Sequence, residues 1–298
     1  MEQIKKIDIH AHATAFPQYA APHPGSGYRM VCAEEVIKFY DDLNIEKGVL
    51  LPLISPEAQW LQITTEETKI IADQYSDRFV WFCNLDPRCC KNAEDTDLGY
   101  MLEHYKSLGA RGFGELTSNL YADDPKMDNL FGHLEKQKMP VTIHIAPEPH
   151  GFYGIVDDPG LPRLEKMLKK HPDLVVLGHS QPFWAEISEC PVELRNTYPT
   201  GKVKEGRLPK LLREFGNLCC DLSAGSAANA LMRDREYAAR FIEEFADRMY
   251  YGCDVCAVCN THPYEFNAFL DDMRATGEIS EENYRKIVRE NAVRLLGL

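Results

Sequence analysis

Six side chains of the kinds that bind divalent metals recur at the ends of short apolar segments. They are His10 and His12, which form a His-x-His pair, and Glu115, His144, His179 and Asp254. Imidazole and carboxylate groups in these numbers suit Zn²⁺ or a related first-row divalent ion such as Mn²⁺. We predict that all six are metal ligands, and that Asp254 and His179 also act in catalysis.

Each of these residues, taken alone, is more simply explained as a hydrogen-bonded core residue. Six at corresponding positions are harder to explain in that way, because burying an unpaired polar group costs about 2–7 kcal/mol. Side chains two apart in a strand share a face, so His10 and His12 can reach the same point. A bound metal would offset the cost of burying the whole group.

The segments that carry the six residues have the composition of buried parallel strands. Eight such runs are mostly continuous in apolar residues rather than alternating, which is typical of strands covered on both faces. They span residues 6–13, 47–53, 79–85, 110–116, 140–146, 174–180, 217–223 and 249–255. Amphipathic helical patterns lie between them, for example at 33–45, 97–109, 127–139 and 161–172.

This alternation predicts an α/β fold, a (β/α)8 TIM barrel that forms a single domain over residues 1–298. The segment 279–298 would add a C-terminal helix on the outside. A doubly wound open sheet is the alternative, but no glycine-rich dinucleotide-binding turn follows the first strand. Long connections rich in Gly, Pro and aromatic residues, at 14–32, 147–160 and 181–206, would form the active-site rim.

Composition and charge argue against several classes of function. The net charge of −13 is unfavourable for binding nucleic acid, which needs a positive surface. No apolar run reaches the roughly 18–20 residues of a membrane-spanning helix, and the first residues lack the apolar core of a signal peptide. The ten cysteines are too sparse for a disulfide scaffold. We therefore expect a cytoplasmic protein with reduced cysteines that acts on a small-molecule substrate.

Five stretches, in the order DIHAHATAFP, GFGEL, VTIHIA, LVVLGHSQPFW and YYGCDV, resemble the metal-dependent amidohydrolase superfamily. The sequence is most similar to its amidohydrolase-related branch (amidohydrolase 2), which includes aminocarboxymuconate-semialdehyde-decarboxylase-like enzymes. The resemblance implies a barrel that holds one or two divalent ions, Zn²⁺ in the first place and Mn²⁺ as the alternative. Members of this family often self-associate, so a homo-oligomer is also expected.

The resemblance also assigns roles to the individual residues. It implies a metal held by the residues that match the family pattern, which are His10, His12, His144 and Asp254. It places His179 beside the reacting water or on a second ion. It leaves Glu115 either as a direct metal ligand or as a residue that supports the ligands, because branches of the superfamily differ at this position.

A metal held by these residues implies hydrolysis of a C–O or C–N bond in a small, carboxylated substrate by activated water. Asp254 would take the proton of the water and pass it to the leaving group, while His179 would help to stabilise the oxyanion. The alternative is non-oxidative decarboxylation or hydration of an aromatic-derived or dicarboxylic acid. A non-catalytic binding barrel is disfavoured, because a decayed site should lack at least one ligand.

Three further residues are candidates for substrate binding. Arg88 follows the third predicted strand, where a guanidinium could hold a substrate carboxylate in bidentate fashion. Trp184 and Tyr153 fall in rim segments and could form apolar walls of a pocket. The alternatives are a salt bridge for Arg88 and packing within the loops for the two aromatic residues.

Three cysteines near Asp254 repeat at every third position, at Cys253, Cys256 and Cys259. A ferredoxin-type run would need a fourth cysteine at the position of Pro263, and no second pair for a zinc ribbon is evident. We interpret the three as small packing residues of a rim loop that lie away from the metal-facing side.

Overall fold

The backbone closes into a ring of parallel strands surrounded by helices. The structure, a computed structural model, describes residues 4–57 and 60–298. Its strands are β1 (Lys6–Ala11), β2 (Ile45–Leu50), β3 (Phe79–Trp81), β4 (Phe113–Leu116), β5 (Val141–Ala146), β6 (Ile155–Val156), β7 (Val176–His179), β8 (Leu218–Asp221) and β9 (Met249–Tyr250). The pairings between these strands are parallel.

Two sheets join to complete the ring. Strands β1, β2 and β3 form one sheet, β4, β5, β7, β8 and β9 form the other, and the short β6 pairs with β5. A parallel bridge between Cys83 and Phe113 joins the sheets on one side. On the other side the amide of Ile9 donates to the carbonyl oxygen of Tyr251 at 2.9 Å. The fold is therefore a (β/α)8 barrel, with β6 as an addition to its eight strands.

Helices follow the strands and cover the outside of the ring. They are α1 (Ala33–Leu43), α2 (Thr65–Gln74), α3 (Gly99–Ser107), α4 (Pro125–Gln137), α5 (Pro162–Lys170), α6 (Gln181–Ala185), α7 (Leu208–Glu214), α8 (Ala224–Met232), α9 (Arg235–Phe245), α10 (His262–Ala275), α11 (Glu281–Arg285) and α12 (Asn291–Leu296). Short 3-10 turns occupy Val192–Leu194 and Ala246–Arg248, and a π-helical turn occupies Lys286–Glu290.

The outer helices form where the amphipathic patterns predict them. The side chain of Asp124 accepts from the amide of Lys126 at the start of α4, and Pro125 takes the first helical position. Proline is suited to that position because its missing amide hydrogen would be unpaired there in any case. The buried face of α4 consists of Met127, Leu130, Phe131 and Leu134, the three- and four-residue spacing of one side of a helix.

The predicted elements are present, with shorter strands than their apolar runs suggest. All eight predicted strands are found, and the four helices named from the sequence end within two residues of their predicted bounds. Strand β9 ends at Tyr250, so the run that reaches residue 255 leaves the sheet well before Asp254. The sequence pattern predicts neither β6, inside the connection 147–160, nor α6, at the start of the connection 181–206.

The C-terminal segment is divided and fastened to the end of the barrel. The predicted helix over 279–298 consists of α11, the π-helical turn and α12. The carbonyl oxygen of Ile287, in the π-helical turn, accepts from the amide of Tyr251 at 3.1 Å. The side-chain amide of Asn291 donates to the carbonyl oxygens of Ala246 and Met249, at 2.7 and 2.9 Å. These bonds hold the backbone on both sides of β9.

A buried carboxylate ties the first strand to the segment after the last one. Asp8 Oδ1 accepts from the amides of His10 and Cys253, both at 2.9 Å, and Tyr40 Oη donates to Asp8 Oδ2 at 2.8 Å. Burial raises the pKa of Asp8 to about 7, although its three donors act against that rise. Glycine is required at position 48, because a Cβ there would lie 1.8 Å from Tyr40 Oη.

Within the ranges 4–57 and 60–298, no helix is both long enough and apolar enough to span a lipid bilayer. Each of the ten cysteines is free, and Cys90 and Cys259 are exposed.

We predict that Tyr40→Phe destabilises the protein by about 1–3 kcal/mol, because it leaves the buried Asp8 carboxylate without one of its donors. The free energy of unfolding from urea denaturation measures this loss. Tyr264→Phe is the matched control, since Tyr264 Oη donates to the exposed Asp42 at the same 2.8 Å. That change should cost no more than about 0.5 kcal/mol. Equal losses for the two variants would contradict the role given to Asp8.

Candidate metal centre

Two imidazoles face each other at the C-terminal end of β1. His10 lies in β1 and His12 directly after it, and both are buried. Their Nε2 atoms are 3.0 Å apart. His10 Nδ1 lies 2.6 Å from the carboxylate oxygen Oδ2 of Asp221, and His12 Nδ1 lies 2.9 Å from the carbonyl oxygen of Leu51. Both Nδ1 atoms therefore donate, and in neutral rings the two Nε2 lone pairs point towards each other.

Two carboxylates lie beside this pair of nitrogens. Glu115, in β4, places Oε2 at 3.4 Å from His12 Nε2 and 3.7 Å from His10 Nε2. Asp254 places Oδ1 at 3.6 and 3.7 Å from the same two atoms. A metal–ligand bond of about 2.0–2.2 Å sets neighbouring donor atoms roughly 3–3.5 Å apart. The spacing of these four donors fits a divalent cation between them.

His179 lies on the far side of the two carboxylates. It ends β7, with Nε2 at 3.7 Å from Asp254 Oδ2 and 4.0 Å from Glu115 Oε1. Its Nδ1 is 3.0 Å from Ser223 Oγ. This contact at Nδ1 fixes the orientation of the His179 ring and directs Nε2 towards the carboxylates. His10 and His12 are oriented in the same way.

His144 comes from the neighbouring strand β5, directly across from His179. Its ring centroid is 5.5 Å from that of His179 and 4.5 Å from that of Tyr153. Its Nδ1 is buried, and no described residue forms a hydrogen bond with it. Gly154 allows a close approach here, because a Cβ at that position would lie 2.7 Å from His144 Nδ1.

The six predicted ligands are thus brought together in three overlapping groups. Within each group, one donor atom from each residue lies within 4.8 Å of the others. The groups are His10, His12 and Glu115; His10, His179 and Asp254; and Glu115, His144 and His179. A cation fits this arrangement because it would offset both the facing lone pairs and the paired carboxylates. The overlap leaves room for one or two ions.

The charges of these groups depend strongly on one another. Burial alone would lower the pKa of His10, but the carboxylates of Asp221 and Asp254 outweigh it and hold that pKa well above its ordinary value. Burial would raise the pKa of Glu115, but His10 and His12 hold it well below its ordinary range. Asp254 behaves in the same way, so its pKa is also lowered. Both carboxylates are ionised at neutral pH.

The other two histidines are kept neutral. Burial lowers the pKa of His144 to about 4, and burial together with the nearby His10 lowers the pKa of His179. A neutral imidazole is the form that binds a metal. The site therefore presents two carboxylates and at least two uncharged rings.

Two supporting residues are missing from the sequence-based prediction. Asp221 is completely buried and binds His10 at 2.6 Å, and Ser223 binds His179 at 3.0 Å. Such partners fix the orientation of a metal-binding ring and raise its basicity. A signal was available, because Asp221 lies near the end of the apolar run 217–223, as the six predicted ligands lie near the ends of theirs.

The cysteine run was predicted to lie away from the metal-facing side, but one of its members, Cys256, faces Asp254. The prediction assumed strand alternation through residue 255, but β9 ends at Tyr250 and Asp254 adopts a left-handed backbone with φ of 51°. Cys256 Sγ donates to Asp254 Oδ1 at 3.3 Å and lines the cavity above the site. Cys253 fits the prediction better, as a buried core residue.

A cavity of about 490 Å³ opens above the six residues. Its floor includes His12, Glu115, His144, His179 and Asp254. Aromatic rings and uncharged polar groups form its walls, among them Tyr28, Trp60, Tyr153, Gln181, Tyr198, Ser226, Asn260 and Thr261. A volume of this size is typical of a site for a small molecule.

Only one of the three predicted substrate-binding residues lies in this cavity. Tyr153 lines it and packs against His144, with the two rings tilted by 44°. Arg88 instead forms ion pairs with Asp86 and Glu57, the alternative named from the sequence. Trp184 is buried in the core, where its Nε1 donates to the carbonyl oxygen of Asp221 at 3.1 Å. Its ring therefore supports the site from behind and does not form a wall of the pocket.

Known proteins with this fold include both hydrolases and decarboxylases. The uncharacterized TIM-barrel protein Bb4693 from Bordetella bronchiseptica is 17% identical, with a TM-score of 0.65 and 99% of each chain covered. A probable 2-pyrone-4,6-dicarboxylic acid hydrolase from Acinetobacter baumannii, with citric acid bound, is 15% identical (TM-score 0.61; 99% of this chain and 100% of that chain). A dihydroxybenzoic acid decarboxylase from Polaromonas sp. JS666, with bound manganese and the inhibitor 2-nitroresorcinol, is 17% identical (TM-score 0.61; 99% and 98%).

At these identities the similarity shows the shared fold. No curated protein sequence gave a significant match. A family model does match: Amidohydro_2, described as amidohydrolase, covers residues 7–298. This span includes every residue of the candidate metal centre, and the chain therefore belongs to the amidohydrolase family.

Proposed function

We propose that this protein is a metal-dependent hydrolase that cleaves a C–O or C–N bond of a small molecule with activated water. The observation that carries the proposal is the cluster of His10, His12, Glu115, His144, His179 and Asp254 beneath a cavity of about 490 Å³. Membership of the amidohydrolase family supports it, and so does the structure of a similar protein with bound manganese. The ion is Zn²⁺ or Mn²⁺, both of which accept nitrogen and oxygen ligands.

Asp254 is the residue best placed to move a proton. Its side chain is 17% exposed, compared with 5% for Glu115, so it is the carboxylate that a molecule in the cavity can reach. Its lowered pKa keeps it ionised at neutral pH. It therefore accepts the proton of the attacking water and returns it to the leaving group, as a general base and then a general acid.

The remaining residues bind and orient. The metal, when bound, supplies Lewis acidity and lowers the pKa of water towards about 7. His10, His12, Glu115 and Asp254 would hold it, with His144 and His179 available for the same ion or a second one. The Nε2 atom of His179 also lies on the cavity side, close enough to Asp254 to act on the same substrate atoms.

Non-oxidative decarboxylation is the second candidate, favoured by the aromatic walls of the cavity. Rings at Tyr28, Trp60, Tyr153 and Tyr198 suit an aromatic acid. Decarboxylases of such acids are among the proteins that share this fold. In that reaction the carbon–carbon bond breaks and CO₂ leaves. The Asp254 carboxylate first takes a proton from a water molecule in the cavity and then delivers that proton to the ring carbon that keeps the electron pair, which leaves hydroxide to combine with the CO₂.

We predict that the purified protein contains a divalent metal. His12→Ala should lose the metal and at least about 100-fold of the activity, because it removes the predicted ligand whose Nε2 lies 3.0 Å from that of His10. Elemental analysis and turnover measure the two effects. His104→Ala is the control, since His104 lies exposed on α3. Unchanged metal content in His12→Ala would refute the proposal.

The same preparation decides the reaction class. Esters, lactones and amides are assayed by acid release, and aromatic acids by CO₂ release. Acid release supports hydrolysis, whereas CO₂ release replaces hydrolysis with the second candidate. Turnover that survives complete removal of metal by a chelator would contradict both.

We predict that Asp221→Asn weakens metal binding by roughly 10- to 100-fold, because the carboxylate that orients His10 is lost. Competition with a chromogenic chelator measures the dissociation constant. Asp128→Asn is a matched control, because Asp128 contacts His171 Nε2 at 3.0 Å in a pair away from the site. Similar affinities for wild type and Asp221→Asn would show that Asp221 does not act on the metal.

We predict that Cys256→Ala lowers kcat by roughly 3- to 10-fold, the equivalent of one hydrogen bond of about 0.5–1.5 kcal/mol to Asp254. Cys256→Ser keeps a donor at this position and should restore most of the rate. Cys90→Ala, at an exposed cysteine, should leave kcat unchanged. Equal kcat values for the Ala and Ser variants would mean that the thiol only fills space.

A further inference from the structure

Three aromatic rings line the cavity, those of Tyr28, Trp60 and Tyr153. His23 stacks on Tyr28, with centroids 5.2 Å apart and planes at 13°, and meets the edge of Trp60 at 4.6 Å. Tyr153 packs against His144. Aromatic rings that are held in place in this way favour contact with a planar ring.

Neither lysine nor arginine lines the cavity among the residues that the structure describes. His262, a lining histidine away from the six clustered residues, is already engaged, because its Nε2 donates to the carbonyl oxygen of Cys253 at 2.7 Å. Ala58 and Gln59, which lie outside the described ranges, carry no charge. The charged groups at its floor are the carboxylates of Glu115 and Asp254, and the whole chain carries a net charge of −13. The field in the cavity, without a metal, is therefore unfavourable to anions.

The guanidinium groups of Arg88 and Arg29 are already engaged in ion pairs. Arg88 forms ion pairs with Asp86 and Glu57. Arg29, next to Tyr28 in the chain, is paired with Glu35 at 2.7 Å. Moving either group to a ligand would break a short charge-assisted contact, and such contacts are among the stronger ones in proteins.

Uncharged polar groups take the place of a cation at the rim. Gln181 Nε2 donates to Tyr198 Oη at 3.3 Å, and both side chains line the cavity. Asn260 and Thr261 also line it. Amide and hydroxyl groups hydrogen-bond well to hydroxyl or carbonyl substituents, whereas a buried carboxylate without a charged partner costs several kcal/mol.

We propose that the ligand of this cavity is a planar aromatic molecule with a single anionic group, which faces the metal centre, and with uncharged polar substituents at its other end. The inference rests on the proposed metal-dependent function, because the bound metal would neutralise that anionic group. It excludes the dicarboxylic acids, which are one part of the alternative substrate class named from the sequence. It holds for a substrate of decarboxylation and for an aromatic acid formed by hydrolysis.

The test compares two ligands that differ by one carboxylate. Isothermal titration calorimetry on the metal-loaded protein measures the dissociation constants of 2-hydroxybenzoate and 4-hydroxybenzene-1,3-dicarboxylate. We expect the monoacid to bind at least 10-fold more tightly. In Gln181→Arg a guanidinium is added at the rim, and this preference should shrink at least 5-fold or reverse. Gln181→Met, similar in length and uncharged, should keep the preference of the wild type.

Other outcomes would overturn the inference. Wild-type protein that binds the diacid as tightly as the monoacid, or does not bind the monoacid, overturns the inference and leaves the proposed metal-dependent chemistry in place. An equal shift in Gln181→Met and Gln181→Arg shows that charge is not the cause and also overturns it. A protein that retains no divalent metal overturns the proposed function, and the inference with it.

Discussion

Two imidazole nitrogens held 3.0 Å apart set the main constraint on the centre of this barrel. His10 and His12 cannot relieve the contact by turning, because their other nitrogens are engaged by the Asp221 carboxylate and the Leu51 carbonyl. A proton on His10 or a metal ion removes the repulsion. Both Asp221 and Asp254 favour positive charge at this point, so the same field that raises the pKa of His10 also attracts a divalent cation.

The backbone is arranged to maintain that contact. Asp8 binds the amides of His10 and Cys253, so the strand that carries the histidine pair and the segment that carries Asp254 share one carboxylate. The amide of Asp254 donates to the carbonyl oxygen of His10 at 2.8 Å, which adds a second tie. The first and last of the six predicted ligands in the sequence are thus positioned by each other, where the first and last strands of the barrel meet. Their separation depends on fixed backbone bonds rather than on flexible side chains.

The sequence predicts the barrel and all six residues that the structure brings together, for a common physical reason. Parallel strands buried on both faces leave continuous apolar runs, and a polar residue that ends such a run is conspicuous. The prediction is weaker where the chain leaves the sheet. Strand alternation does not apply beyond Tyr250, so the orientation of Cys256 towards Asp254 was not predictable from periodicity. Arg88 and Trp184 do not line the cavity, and this was not predictable because their partners, Asp86, Glu57 and the carbonyl of Asp221, are tertiary contacts.

The division of the C-terminal segment has a consequence for how the active site is maintained. The carbonyl oxygen of Ile287, in the π-helical turn, accepts from the amide of Tyr251, three residues before Asp254. Asn291 adds two bonds to the backbone around β9. A peripheral segment thus stabilises the backbone that positions Asp254, one of the predicted ligands. Substitutions on the outer surface of the barrel, remote from any substrate, can therefore alter the chemistry at its centre.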